Sequence, residues 1–273
     1  MRSCTLQSFG LALLWITVAC PVWAQESRPA FDGLPPVSTR ADLSLVDSLY
    51  VALDARGSLE AAEAIAAADS TDEEAIWRAS RAALALGLLA TEESVQMEWY
   101  RRSAAHAARV VALDSLRVEG LYLLAAAEGR RALQERPRVI AQLAQEVSVL
   151  AQRVLALEPG HAGAHNILGK VNFEVMTLGR VERFIARLLV GDNAALDSAS
   201  WEEAERHQLA SVTGAPFMIL FRYELARTYL RRERRTEAEL QLRELLALPV
   251  RHPPDAMWQE AARRLLARLD ENP

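Results

Sequence analysis

The chain has 273 residues, of which 51% are hydrophobic and 25% are charged. This composition excludes an intrinsically disordered chain and is typical of one large domain or an extended repeat array. The formal net charge is -5. Because nucleic-acid binders normally carry a strong basic excess, this charge argues against a nucleic-acid partner.

Residues 1–24 have the pattern of a secretory signal peptide. Arg2 precedes the apolar run Phe9–Ala19, and Val22 to Ala24 supply residue types that a signal peptidase accepts. No later stretch approaches the roughly 20 consecutive apolar residues that a transmembrane helix needs. We therefore expect cleavage after Ala24, a mature chain without a transmembrane span, and a periplasmic or secreted protein.

Cys20 offers an alternative processing site. The sequence from Thr17 to Cys20 resembles a bacterial lipobox, although threonine replaces the usual leucine and Pro21 follows the cysteine. Lipidation there would make the protein a membrane-anchored component of an envelope assembly. The other cysteine, Cys4, also lies in the signal, so cleavage after Ala24 leaves no thiol for disulfides or zinc. We expect no cofactor.

Residues 25–40 are rich in proline, and we expect an irregular lead-in there. From Ala41 to the end, glycine and proline mostly separate segments with helical periodicity, and alternating β-branched runs do not occur. Gly57 is the expected C-cap of the first helix and Asp72 the expected N-cap of the third. The predicted helices are Ala41–Arg56, Leu59–Ala68, Asp72–Leu89, Thr91–Leu113, Ser115–Gln134, Pro137–Leu157, Gly160–Val190 with a break near Gly179, Trp201–Ser211, Pro216–Arg232, Thr236–Leu248 and Pro254–Asp270.

The helices repeat with a long period. Asp69, Asp114 and Glu158 each close an Ala/Leu-rich helix, at spacings of 45 and 44 residues. Glu202-Glu-Ala and Thr236-Glu-Ala stand 34 residues apart, which is the length of a tetratricopeptide repeat. The sequence therefore predicts an all-α, tetratricopeptide-like solenoid of antiparallel helix pairs with enlarged repeats over residues 41–273. Small residues let neighbouring helices approach closely in such arrays.

A more specific resemblance starts in the seventh predicted helix. The stretch His161–Gly191, followed by Ser200–Ala204 and Tyr223–Tyr229, resembles the regulator of microtubule dynamics family, and Ile76-Trp-Arg-Ala upstream fits its pattern. The resemblance implies a tetratricopeptide-like repeat fold with an enlarged helix at this point, and a protein-binding role. It does not carry the microtubule function here, because a bacterial-type signal peptide directs the chain away from a cytoskeleton.

The inner face of the array is the first candidate site. In tetratricopeptide arrays the fifth and ninth positions of the first helix in each pair point into the concave groove. Aromatic and cationic groups there suit an extended peptide that carries carboxylates, and the alternative is that the aromatic residues are buried packing residues. The predicted groove residues are Trp77, Arg81, Tyr122, Asn166, Lys170, Tyr223 and Arg227.

His161 and His165 form a second candidate, because i, i+4 spacing places them on one helix face. With Glu174 they would serve a metal-dependent enzyme. Ala162 stands where a metallopeptidase motif has glutamate, so a structural role is favoured.

Two further polar groups are expected to have structural roles. The first is the set Asn172, Glu174, Arg180, Glu182 and Arg183 on the enlarged helix, where Glu174 and Arg183 are candidates for an ion pair across the bend. The second is the basic run from Arg231 to Arg235, which is expected to lie at a solvated turn.

Enzyme motifs are missing, since no Gly-rich phosphate loop, nucleophile elbow or zinc-binding cysteine cluster occurs. The favoured hypothesis is an exported, non-enzymatic scaffold that binds a protein or peptide partner through a concave helical surface. The alternatives are the lipidated envelope component and, less favoured, the metal-dependent enzyme.

Overall fold

The computed structural model describes residues 37–133, 137–178 and 194–271. The predicted signal peptide, Cys20 and most of the lead-in lie outside the described residues, as do Gly179, Arg180, Glu182 and Arg183. The helix boundaries are α1 Val37–Val51, α2 Ala55–Ala68, α3 Glu73–Leu89, α4 Glu93–Leu113, α5 Val118–Ala132, α6 Pro137–Leu157, α7 Ala162–Thr177, α8 Ala194–Asp197, α9 Trp201–Gly214, α10 Ile219–Arg231, α11 Arg235–Ala247 and α12 Asp255–Glu271.

Within these ranges the helices pack as consecutive antiparallel pairs, and no strand occurs. The pairs are α1 with α2, α3 with α4, α5 with α6, α7 with α9, and α10 with α11, and α12 packs on the last pair. This arrangement confirms the predicted all-α, tetratricopeptide-like solenoid.

The apolar core is divided into clusters that follow the helix pairs, as expected for a repeat array. In the last full pair, Leu225, Ala226, Ala238 and Leu242 are buried together, as the repeat pattern predicts. Ala204 on α9 is also fully buried. Its separation of 34 residues from Ala238 is therefore the spacing of equivalent helix positions.

The first helix boundary differs from the prediction. Gly57 is not a C-cap, because it lies in the first turn of α2, where its backbone N–H donates to Asp54 Oδ1 at 2.8 Å. The helix before it ends at Val51, and Leu53 in the connecting turn adopts a φ of 68°. Asp54, an N-cap residue, outweighs the glycine at this boundary.

Other boundaries agree more closely with the prediction. Asp72 is the N-cap of α3 as predicted, because its Oδ1 accepts from the Ala75 N–H at 2.9 Å. The first helix begins at Val37, inside the predicted lead-in of residues 25–40. Sequence patterns did not reveal the four-residue α8. None of the described helices is long and apolar enough to cross a membrane.

The two ends of the array come close together. The ring of Tyr50 on α1 meets His252, just before α12, edge-on at 6.3 Å between centroids. This contact brings α1 next to the segment that precedes α12, at the other end of the described array. Residues on the first helices of successive pairs therefore surround a common space.

Candidate functional site: the inner face and its central cavity

A cavity of about 460 Å³ opens between α3, α5, α6, α7, α8 and α10. Three of the predicted groove residues, Tyr122, Asn166 and Lys170, line it. Apart from these residues and a few other polar groups, its described lining is aliphatic: Leu84, Leu88, Ala125, Ala126, Gly129, Ala132, Leu133, Ala144, Val147, Ile167, Val171, Val175, Leu178, Leu196 and Leu220. We call this space the central cavity.

Small residues on α5 leave room for the central cavity. Ala125, Ala126 and Gly129 line it along one side of α5, because residues three and four positions apart share a helix face. A Cβ at Gly129 would meet only Val147, at 3.7 Å, so that glycine is not needed for close packing. The repeat pattern of small residues thus provides volume here as well as helix contact.

Tyr122 is held in place by a glycine on the next repeat. A Cβ at Gly163 would overlap the Tyr122 ring, so the ring lies directly on the α7 backbone. Burial raises the pKa of Tyr122, and the nearby charge of Arg130 acts in the opposite direction. The Tyr122 hydroxyl makes no hydrogen bond within the described residues.

Asn166 is a buried polar side chain that lacks a partner. It is only 8% exposed, it lines the central cavity, and its Nδ2 has no hydrogen-bond acceptor among the described residues. Leaving a buried amide unpaired costs about 1–3 kcal/mol. An unpaired group of this kind at a cavity wall is a reason to look for a ligand there.

Lys170 is ion-paired with two carboxylates. Its Nζ lies 2.9 Å from Glu174 Oε1 and 3.2 Å from Glu224 Oε1. Glu224 is 1% exposed and also pairs with Arg227 at 3.0 Å. Burial alone would raise the pKa of Glu224, but Lys170, Arg227 and the more distant Arg130 together hold that pKa below its usual value.

Arg130 also lines the central cavity, and sequence reasoning did not identify it. Its guanidinium lies 5.7 Å from the centroid of the Trp258 ring, and it forms no ion pair with any described carboxylate. Trp258 in turn stacks with Tyr223, a predicted groove residue, at 5.2 Å. Arg130 therefore lies between the cavity and the aromatic pair on α10 and α12.

The remaining predicted groove residues, Trp77 and Arg81, lie in a separate group on α1 and α3. The Arg81 guanidinium pairs with Asp47 at 2.8 Å and lies 4.1 Å from the Tyr50 ring centroid and 5.1 Å from that of Trp77. Arg78 also pairs with Asp47, at 2.9 Å. We call Asp47, Tyr50, Trp77, Arg78 and Arg81 the α3 cluster.

The three residues of the metal-site alternative do not converge. His161 caps α7, with its Nδ1 accepting from the Ala164 N–H at 3.0 Å. Glu174 is thirteen residues further along the same helix, about 20 Å away at the helical rise per residue. Among the described residues, no three His, Cys, Asp or Glu side chains form a group suited to a metal ion.

His165 instead pairs with His207 on α9, with 2.8 Å between their Nδ1 atoms. Arg206 donates to His207 Nε2 at 2.9 Å, so the proton of neutral His207 sits on Nδ1 and points to His165. His165 Nε2 then donates to the Pro159 carbonyl at 3.0 Å. Burial, with the charge of Arg206 and the proximity of His165, lowers the pKa of His207 to about 4.

Two other polar groups have structural partners. Asn172 Oδ1 accepts from the Ser200 N–H at 3.2 Å, which ties α7 to the start of α9. Arg232 and Arg234, in the basic run after α10, both pair with Glu205, Arg232 at 3.0 Å. The run is therefore bound to carboxylates of the neighbouring pair, as well as lying at the predicted turn.

Comparison with known proteins agrees with this architecture. The family model described as regulator of microtubule dynamics protein 1-3 matches residues 43–270. The chain belongs to this family. No curated protein matches it. The match extends over all five helix pairs and α12 of this family member, so the resemblance seen in residues 161–191 holds for the array as a whole.

Solved structures similar to this family member are also repeat proteins. The tetratricopeptide-repeat protein TTC0263 of Thermus thermophilus has a TM-score of 0.58 and 19% identity, covering 84% of this chain and 98% of that chain. MamA from Desulfovibrio magneticus RS-1 has a TM-score of 0.42 and 14% identity, covering 76% and 93%. YrrB, described as a TPR protein with an unusual peptide-binding site, has a TM-score of 0.39 and 15% identity, covering 82% and 90%. The first of these supports the tetratricopeptide-like fold.

Proposed function

We propose that this protein is an exported, non-enzymatic scaffold that binds a protein or peptide partner on the inner face of its helix pairs. The observation that carries the proposal is the central cavity, which Tyr122 and Asn166 from successive repeats both line and where Asn166 Nδ2 is buried with no acceptor among the described residues. Its volume of about 460 Å³ falls within the range of about 300–1,000 Å³ for ligand pockets. A mostly apolar lining with a few polar groups is typical of such sites.

The test is to fill the cavity and measure binding. Purified protein is screened against a displayed peptide library, and the recovered peptides are measured by fluorescence polarisation. Ala126→Leu places a larger side chain in the cavity, and we expect it to weaken binding at least about tenfold. Ala105→Leu is the matched control, because Ala105 is exposed on α4. Failure of the library to yield any binder, or equal affinity for both variants, would count against the proposal.

The cavity-filling test leaves the predicted cationic groove residues unchanged. Arg81, Lys170 and Arg227 are all ion-paired, and Lys170 and Arg227 share the buried Glu224. Replacing them with alanine would leave a buried carboxylate without its partners, which destabilises a protein strongly. A loss of binding in such a variant would not distinguish a contact with the partner from a damaged fold.

Export and anchoring are tested at the N-terminus. The proposal expects an intact mass that lacks residues 1–24 in protein recovered from the periplasm or medium. A mass with a lipid on Cys20 and a membrane location would instead favour the lipidated envelope component. Full-length protein in the cytoplasm would contradict both forms of the proposal.

The aliphatic lining favours a second candidate function, which is to carry the acyl chain of a small amphiphile. Every apolar residue on the described cavity wall apart from Tyr122 is aliphatic or glycine. Extraction of the purified protein followed by mass spectrometry tests this candidate. Stoichiometric acyl-chain ligand in the wild type, reduced in Ala126→Leu, would favour it over the scaffold.

A further inference from the structure

A chain of hydrogen bonds joins α9 to α7 through two histidine rings. Arg206 donates to His207 Nε2 at 2.9 Å, and the Nδ1 atoms of His207 and His165 are 2.8 Å apart. His165 Nε2 lies 3.0 Å from the Pro159 carbonyl oxygen, which can only accept. Each ring therefore carries one proton: His165 holds it on Nε2, and His207 holds it on Nδ1 and donates it to His165.

This chain of hydrogen bonds has no place for an additional proton. A second proton on His207 would occupy Nε2, where it would displace the donor of Arg206. A second proton on His165 would occupy Nδ1 and face the donor of His207. If His207 moved its own proton to Nε2 to avoid that clash, it would again displace Arg206. Protonation of either ring therefore breaks at least one hydrogen bond of the chain.

The surroundings of His207 oppose its protonation. Burial, with the charge of Arg206 and the proximity of His165, lowers the pKa of His207 from its ordinary 6.5 to about 4. Glu203 acts in the opposite direction from 3.8 Å, but its carboxylate is already paired with Arg206 at 2.6 Å. The closed contact between the helices therefore excludes a proton over the pH range in which a free histidine accepts one.

The surroundings of His165 on the α7 side act in the same direction. His161, the N-cap of α7, is close enough to His165 for their charges to interact. Burial lowers the pKa of His161 and outweighs the opposing charges of Glu158 in the preceding turn and Glu119 on α5. This end of α7 therefore does not supply the negative charge that a protonated histidine pair would need.

The histidine pair lies beside the wall of the central cavity. Asn166 and Lys170 follow His165 along α7, and both line the cavity. The backbones of α7 and α9 lie close together here, because a Cβ at Gly169 would come within 3.2 Å of the Ala204 carbonyl oxygen. A change in the distance between these two helices therefore moves residues of the cavity wall.

We propose that His165 and His207 form an acid-sensitive latch between α7 and α9, and that protonation of the pair loosens the α7 wall of the central cavity. Protonation of buried histidines changes helix contacts in this way in pH-sensing proteins. Since Asn166 and Lys170 lie on that wall, binding at the cavity should weaken in acid. The opening itself requires no partner, so it is tested independently of the scaffold proposal.

Hydrogen exchange tests the latch, because amide protection reports the equilibrium between closed and open conformations. The lowered pKa of His207 gives stability that is present above pH 6.5 and is lost as the pH falls towards about 4. Between about pH 7.5 and pH 5, after correction for intrinsic exchange, protection of residues 163–170 should fall at least about tenfold. Residues 76–83 of α3 should lose less than about threefold, because contacts in a repeat array run between neighbouring pairs.

His207→Asn shows whether the latch causes this loss, because an asparagine amide can donate in place of Nδ1 but does not titrate. Residues 163–170 of this variant should lose less than about threefold of their protection over the same pH range. His106→Asn is the matched control, since His106 lies on α4 and contacts Glu63 at 2.8 Å. It should lose protection in α7 as the wild type does.

Two outcomes of the exchange experiment would overturn the latch. An acid loss in His207→Asn as large as that of the wild type would assign the response to His161 or to carboxylates. An equal loss in residues 163–170 and in α3 of the wild type would show that acid acts on the whole array. In either case the scaffold proposal would be unaffected, because the peptide-library test is made without a change of pH.

The proton positions are tested separately by NMR of protein labelled with ¹⁵N in its five histidines. Near neutral pH we expect opposite tautomers, with the proton on Nε2 in His165 and on Nδ1 in His207. His207 should remain neutral down to about pH 5. The same tautomer in both rings, or a His207 ring that is half protonated at about pH 6, would contradict the hydrogen-bond chain on which the latch depends.

Discussion

Trp77 and Arg81 on α3 occupy the same two repeat positions as Tyr122 and Ala126 on α5, yet their surroundings differ. In the α3 cluster, Arg81 is held by Asp47 and by two aromatic rings. At the central cavity, alanine stands in place of the arginine, Tyr122 and Asn166 line the space, and Asn166 Nδ2 has no acceptor among the described residues. Equivalent repeat positions therefore stabilise the array in one pair and line a cavity in the next.

The largest stability effect is expected from Lys170, which belongs to the cavity wall but is ion-paired like the α3 cluster. Lys170→Met leaves the buried Glu224 with Arg227 as its remaining direct cation. We expect a loss of about 3 kcal/mol in the free energy of unfolding, measured in urea, because a buried carboxylate loses a partner. Lys170→Arg keeps the charge and should recover most of it. A methionine variant as stable as the wild type would show that Lys170 is available for a ligand.

Two glycines each pack against a tyrosine ring, and their alanine variants can be compared directly: Gly163 lies beside the central cavity and Gly87 lies on α3. A Cβ at Gly163 would overlap the Tyr122 ring, and a Cβ at Gly87 would overlap Tyr100. Each Gly→Ala change should cost about 2 kcal/mol through overpacking, as measured by urea denaturation. Only Gly163→Ala should also weaken peptide binding, since it displaces a cavity residue. Equal binding losses in both variants would argue for a general effect of stability.

The sequence predicted the array better than the site. The start of α6 at Pro137 was predicted correctly, because proline is favoured in a first helical turn and cannot continue an earlier helix. The helix spans Pro137–Leu157 as predicted. At Gly57 the prediction rested on the glycine alone and left out Asp54, three residues before it, which caps the next helix. The spacing between Asp54 and Gly57 is that of a side-chain cap and the amide it accepts from.

The site residues that were missed depend on contacts between repeats. Arg130 lies eight residues after Tyr122 on α5, which is neither of the groove positions of the repeat. His207 meets His165 across 42 residues, and spacing along the chain does not reveal that contact. Repeat periodicity places residues on a helix face, but it does not indicate which charges are neutralised by the neighbouring pair.

A smaller effect, and a dependence on pH, is expected in the α3 cluster. Burial would raise the pKa of Asp47, but hydrogen bonds and charges from Arg78 and Arg81 lower it below the ordinary value of 3.8. A lowered carboxyl pKa adds stability that is present above about pH 4 and is lost as the pH falls through the folded-state pKa. Asp47 is 39% exposed, so Asp47→Asn should cost only about 1 kcal/mol near neutral pH.

The measurement for Asp47 is a pair of urea curves for each protein, one near neutral pH and one well below the folded-state pKa. The difference between wild type and Asp47→Asn should shrink in acid, because the wild-type carboxylate then carries a proton as well. A peptide affinity that is unchanged by Asp47→Asn at neutral pH would keep the α3 cluster structural. A constant stability difference at both pH values would contradict the ion-pair explanation.

The smallest change in stability is expected where the change in binding is largest. Arg130 has no ion pair in the described chain, so Arg130→Gln should alter the free energy of unfolding by less than about 0.5 kcal/mol. Arg81→Gln, the matched change in the α3 cluster, should cost about 1 kcal/mol through the lost ion pair and ring contacts. Binding of the peptides recovered from the displayed library should show the reverse order. If Arg81→Gln lowered peptide affinity more than Arg130→Gln did, the α3 cluster would be the binding region and the central cavity would be a packing feature.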